Sequence, residues 1–240
     1  MKIQEAFNNF KNLIFTRRCD ICGDVCDVRE TLCTRCKESP CRIEGEICPK
    51  CGVPKKDCIC KSAPFYMSVC APFFYDEGPK KAIHLMKFKN DLMIAENLGK
   101  EMAQCVKTRY AGYNFDCVTF TPSHKSDIKS RGYNQAERLA NIVERELGLP
   151  CYSLLNKDFP TAKQHSLPAH LRTGNLAGAL SFNNDTGCNI KNMRILLCDD
   201  LKTTGSTLNE SAKILLFNGA AEVRCVTACI KMNKQKKPDS

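Results

Sequence analysis

Two groups of residues have the types and spacing to do chemistry. The first is the run Arg194-Ile-Leu-Leu-Cys-Asp-Asp-Leu-Lys-Thr-Thr-Gly-Ser-Thr-Leu208. An apolar stretch ends in two adjacent carboxylates, Asp199 and Asp200. A turn of Lys202, Thr203, Thr204, Gly205, Ser206 and Thr207 then opens a helical pattern. Free amides at a helix start, with the hydroxyls of Thr203, Thr204, Ser206 and Thr207, can surround a phosphate monoester. Gly205 lets the backbone come close to that anion. Carboxylates repel phosphate but accept hydrogen bonds from vicinal hydroxyls, so the set as a whole fits a ribose 5-phosphate. A helix cap followed by an ordinary turn would explain any one of these residues, but not the ordered series.

The second group is cysteine. The chain holds 18, of which ten lie between Cys19 and Cys60. Cys19-x2-Cys22 is followed by Cys33-x2-Cys36, and Cys48-x2-Cys51 by Cys58-x-Cys60. Two thiolates on one tight turn converge on a single ion, and a second such turn completes a tetrahedral shell. The spacing predicts one or two structural Zn²⁺ sites, the second less regular because its closing pair is one residue short. Four thiolates leave no open coordination position, so no catalysis is assigned to them. A segment this short and polar has little core of its own, and the metal would supply its folding energy.

The elements that must position these groups can be read from composition and period. Glu5, Asn8, Asn9 and Lys11 interrupt any continuous apolar region at the N-terminus, which argues against a secretory signal. Residues 3–15 read as a short amphipathic helix. The chain is expected in the cytoplasm, with reduced thiols and no membrane span. Clustering of cysteine stops at Lys61–Pro64, which divides the chain into 1–64, an N-terminal helix with zinc ribbons, and 65–240, a larger domain. The formal charge of +10 falls to +6 if two four-thiolate zinc sites are filled, and the excess then lies in the larger part.

Beyond the boundary, strand and helix patterns alternate. Strands are expected at Val69–Tyr75, Cys117–Thr121, Cys151–Leu155, Arg194–Cys198 and Val223–Ile230. Helices are expected at Pro79–Phe88, Asn90–Val106, Asn134–Leu147 and Leu208–Phe217. Residues 122–134 and 156–187 read as loops, and 231–240 as a polar tail. This order implies an α/β fold, a mostly parallel sheet covered by helices on both faces.

The run Asp199-Asp200-x2-Thr203-Thr204-Gly205-x-Thr207 resembles the phosphoribosyl-pyrophosphate (PRPP) motif of type I phosphoribosyltransferases. Further segments narrow the resemblance: Tyr75-x2-Gly78-Pro79, Lys87-Phe88-Lys89, Pro122-x8-Arg131-Gly132-Tyr133-Asn134-Gln135-Ala136 and Gln164-x7-Arg172-x2-Asn175. With the cysteine ribbons, these make the chain look like the ComF family over roughly residues 10–231. The resemblance implies a type I phosphoribosyltransferase-like sheet behind a zinc-ribbon module. It implies that the paired acids hold the ribose hydroxyls and that the loop holds the 5′-phosphate. Mg²⁺ would accompany PRPP, with Lys87, Lys89, His124, Lys125, Arg131, Lys163 and Arg172 as contacts to pyrophosphate or DNA. It also implies work on single-stranded DNA during competence, beside a competence helicase or another DNA-processing protein. Two readings stay open: a PRPP-binding DNA-handling protein, and an active phosphoribosyltransferase whose acceptor is unidentified. No segment marks an acceptor site, and no Ser/His/Asp or paired-Glu machinery is evident.

Overall fold

Ile195, Leu196, Leu197 and Cys198 are all fully buried, as four consecutive residues can be only where both faces of a sheet are covered. They belong to β8 (Arg194–Lys202), at the centre of the molecule. The computed structural model describes residues 17–27, 30–38, 41–60, 62–159 and 178–232. β8 pairs in parallel with β9 (Glu222–Ile230) on one side and with β5 (Cys117–Phe120) on the other. On the far edge of β9 lie β3 (Ser68–Cys70) and β4 (Phe73–Phe74), also parallel. The sheet order is β3-β9-β8-β5, with β4 beside β9.

The Val69–Tyr75 segment is therefore two short strands rather than one. Pro72, between them, has no amide to give the ladder. The expected strand at Cys151–Leu155 reduces to a single bridge from Cys151 to Val118. Its end instead enters β6 (Leu155–Lys157), which pairs antiparallel with β7 (Leu180–Phe182). Part of the 156–187 stretch is thus a ribbon and not a loop. The 3–15 helix, the middle of that stretch and most of the tail lie outside the described residues.

Helices cover the sheet. α2 (Glu77–Lys89) ends at Asn90 in the left-handed conformation, and Asp91 caps α3 (Leu92–Arg109) by accepting from the Ile94 amide at 3.1 Å. The helix expected from Asn90 accordingly begins at Leu92. α5 (Gln135–Leu147) buries Ala136, Leu139, Ala140 and Val143 on one stripe, between an Asn134 cap and Gly148, as its period predicts. α6 (Ser206–Phe217) starts at Gly205. The expected 122–134 loop instead contains a short helix, α4 (Lys125–Arg131). Its start is capped by His124, whose Nδ1 accepts from the Ser126 amide.

The cysteine segment is docked on the rest of the molecule. It carries β1 (Arg17–Arg18), β2 (Val25–Cys26) and α1 (Thr34–Glu38). Cys19, Ile21, Cys22, Cys36 and Cys41 share one hydrophobic core with Phe73, Ile83, Met86 and Leu98. Gly78 in α2 lies against Cys36, so close that a Cβ there would sit 2.7 Å from its Sγ. Arg42 forms a two-pronged ion pair with Glu101 of α3 at 2.7 and 2.9 Å. Among the described residues no helix is long and apolar enough to cross a membrane.

Candidate sugar-phosphate site and cysteine centres

β8 continues through both acids to Lys202, and its ladder with β9 is interrupted only at Asp200. The acids thus sit on a sheet strand, three and two residues before its end, and the Thr-Gly-Ser turn follows. Asp199 Oδ1 accepts from Thr121 Oγ1 and from the Asp200 amide, both at 2.8 Å. Asn134 Nδ2 donates to the Thr121 carbonyl at 3.0 Å, while its Oδ1 receives the Ala136 amide at 3.0 Å. One side chain therefore both caps α5 and ties down the end of β5. Burial and the neighbouring Asp200 charge push the Asp199 carboxyl up to about 7. Asp200 forms an ion pair with Lys87 of α2. Burial pulls the Lys87 ammonium down, but Asp200 and then Asp199 raise it further, so it stays charged.

Beside the acids opens a cavity of about 560 Å³, ample for a pentose phosphate. Asp199, Asp200, Thr203, Thr207, Lys87 and Arg131 of the predicted set line it together. Thr204, Gly205, Ser206 and Lys202 face a second cavity on the other side of the turn, with Thr203 shared. Lys89 and Lys125 are exposed and outside the lining of the first cavity. His124 is engaged as a helix cap. Lys163 and Arg172 lie outside the described residues.

The structure adds Lys80, His84 and Lys157 to the lining. Burial lowers the Lys157 ammonium, against the pull of Asp127 and Asp199. Its signal was hidden in the polar stretch after Leu155. Lys80 and His84 follow from helical period alone, two turns and one turn before Lys87.

The two cysteine quartets fit a tetrahedral ion. The four Sγ atoms of Cys19, Cys22, Cys33 and Cys36 lie within 4.8 Å of one another, as do those of Cys48, Cys51, Cys58 and Cys60. Cys22 and Cys33 sulfurs are 3.5 Å apart, and Cys51 and Cys58 sulfurs 3.7 Å. Zn–S bonds of ~2.3 Å in a tetrahedron place sulfurs about 3.8 Å apart. Bound there, zinc would clamp the chain without an open ligand position. Cys26 and Cys41 stand outside both quartets.

Residues 128–240 match the phosphoribosyl transferase domain family. The chain is 29% identical over 209 residues to the DNA utilization protein YhgH of Salmonella typhimurium, covering 82% of this chain and 89% of that one. It is 28% identical over 204 residues to the competence protein ComFC of Bacillus subtilis, covering 80% of each. With ComFC of Streptococcus pneumoniae the identity is 27% over 221 residues, 90% of each chain. The resemblance to the ComF family holds. The chain has the parallel sheet flanked by helices and the two N-terminal cysteine quartets which that resemblance implies.

Proposed function

We propose that the chain binds PRPP or a related ribose 5-phosphate and uses that site while handling single-stranded DNA. The observation that carries the reading is the pair Asp199 and Asp200, presented on a buried strand to a cavity whose other walls are cationic and hydroxylic. The ribose hydroxyls go to the acids and the 5′-phosphate to Thr203 and Thr207, the turn residues that line the same cavity. Lys87, Arg131, Lys80 and Lys157 then surround the other end of the ligand, where a pyrophosphate would need positive charge. Mg²⁺ favours phosphate oxygens and keeps its own waters, so it would travel with the pyrophosphate rather than require a protein cage. The DNA role draws on the relatives, named for competence and DNA utilization. The larger part of the chain, 65–240, would supply the sugar site and 1–64 a zinc-dependent wall.

A second reading is an active phosphoribosyltransferase with an unidentified acceptor. The cations that line the same cavity favour it, because they would stabilise a departing pyrophosphate. One experiment separates the two. PRPP with Mg²⁺ and a labelled oligodeoxynucleotide are titrated into wild type and Asp199→Ala/Asp200→Ala. The variant should lose PRPP while free chain still retains DNA. Wild type that ignores PRPP and ribose 5-phosphate alike would defeat both readings, and pyrophosphate release with an added acceptor would select the second.

A further inference from the structure

The phosphate turn has another side, turned away from the acids. There a cavity of about 350 Å³ separates it from the second cysteine knuckle and is lined by Lys50, Cys51, Cys60, Tyr66, Lys202 and Ser206, among others. Lys202 is only 7% exposed. Among the described residues no carboxylate forms an ion pair with its ammonium. It lines one cavity with Cys51 and Cys60 of the second quartet. A buried ammonium without opposite charge is costly. Four thiolates on a zinc ion carry a net charge of about −2 and would balance it.

Hydrogen bonds and contacts run the same way. Tyr66 donates through its hydroxyl to the Lys50 carbonyl at 2.8 Å, inside the Cys48-x2-Cys51 turn. Gly205, at φ +85°, sits directly over both side chains. A Cβ there would lie 3.1 Å from Lys202 Cε and 3.4 Å from the Tyr66 hydroxyl. The Val69 amide holds the Pro49 carbonyl at 2.9 Å, and the Lys231 amide holds the Lys202 carbonyl at 2.8 Å. Knuckle, sheet edge and phosphate turn therefore form one packed unit.

We propose that Lys202 and Tyr66 are positioning residues that lock the second cysteine knuckle to the phosphate turn, so that zinc on Cys48, Cys51, Cys58 and Cys60 strengthens sugar-phosphate binding. This rests on the reading of the turn given above. Without metal the knuckle is unclasped and Lys202 loses its counter-charge; it then swings toward water, and the turn loses support beneath Gly205. The cluster's own negative charge is met by Lys202 before it reaches the phosphate.

The test uses full-length, zinc-loaded protein with ribose 5-phosphate as the probe. Calorimetry should show Tyr66→Phe, with both zinc ions retained, binding roughly fivefold more weakly than wild type, the loss of about one hydrogen bond. Coupling between sites is reciprocal. Chelator competition at equilibrium should therefore show ribose 5-phosphate tightening one of the two zinc ions in wild type, and doing so less in Tyr66→Phe and Lys202→Met. A residue that merely stabilised the fold would leave that ligand-dependent difference unchanged. Ribose 5-phosphate binding that alters neither zinc affinity would overturn the proposal. So would a Cys58→Ser/Cys60→Ser chain holding one zinc and binding the sugar phosphate like wild type. Wild type that fails to bind ribose 5-phosphate and PRPP fails the functional reading first, and the coupling falls with it.

Discussion

Thr121 Oγ1 donates a 2.8 Å hydrogen bond to Asp199 Oδ1, so the end of β5 holds one acid of the pair in place from the neighbouring strand. Removing the hydroxyl leaves a buried carboxylate oxygen with one donor fewer. Thr121→Val should cost about 1–3 kcal/mol of stability and weaken ribose 5-phosphate binding. Chemical denaturation and calorimetry on the same variant check both.

Asp199 also sets a pH dependence. Its carboxyl is pushed up to about 7 by burial, with Asp200 adding to the effect, whereas an unfolded aspartate titrates near ~3.9. The native state therefore binds more protons than the unfolded chain between these values. The contribution is whole below about pH 4 and is lost as pH rises through about 7. Asp199→Asn should gain melting temperature on wild type progressively from pH 5 to pH 8, while losing ribose 5-phosphate affinity. A constant difference across that range would contradict the assignment.

Lys87 and Asp200 form an ion pair with side chains 21% and 13% exposed. Lys87→Met strands a mostly buried carboxylate and should cost about 3 kcal/mol, the low end for such pairs because some water reaches both groups. Lys87→Met/Asp200→Asn should recover part of that loss. A double-mutant cycle by urea denaturation measures the coupling.

Gly99 on α3 crosses α5 at Ile142, and a Cβ there would lie 2.6 Å from the Ile142 Cβ. Alanine is worth ~1 kcal/mol over glycine within a helix, while overpacking a tight contact costs about 1–3 kcal/mol. The backbone-proximal clash should win, so Gly99→Ala is expected to lower the melting temperature by several degrees. Ile142→Ala keeps the Cβ that is struck and opens a cavity of its own, so adding it should not restore the melting temperature.

Zinc content should be two ions per chain, falling to one in Cys33→Ser or Cys60→Ser, by atomic absorption. The first site shares the main core through Cys19, Cys22 and Cys36. Its loss should lower the melting temperature of the whole chain, more than loss of the second, where Cys60 is exposed.

The sequence carries the chemistry more legibly than the geometry around it. Asp199, Asp200, Thr203 and Thr207 could be named because a buried strand followed by a glycine turn has one strong local reading, and the cysteine pairs because metal spacing is local too. The break at Pro72, the β6–β7 ribbon and the capping by His124 depend on partners far along the chain, which period cannot supply. Lys202 shows the same limit. Its place in the motif suggested a phosphate contact, but only the packing reveals Tyr66 and a cysteine knuckle beside it.

The earliest strand of the sheet, β3, is paired to the last one, β9. During synthesis Ser68–Cys70 must wait for some 150 further residues to leave the ribosome before its neighbour exists (a long loop closure by any measure). Both cysteine quartets emerge well before that moment, so metal capture can precede closure of the interior. A nascent chain stopped before Glu222 would expose the bare edge of β8, a template for unwanted association.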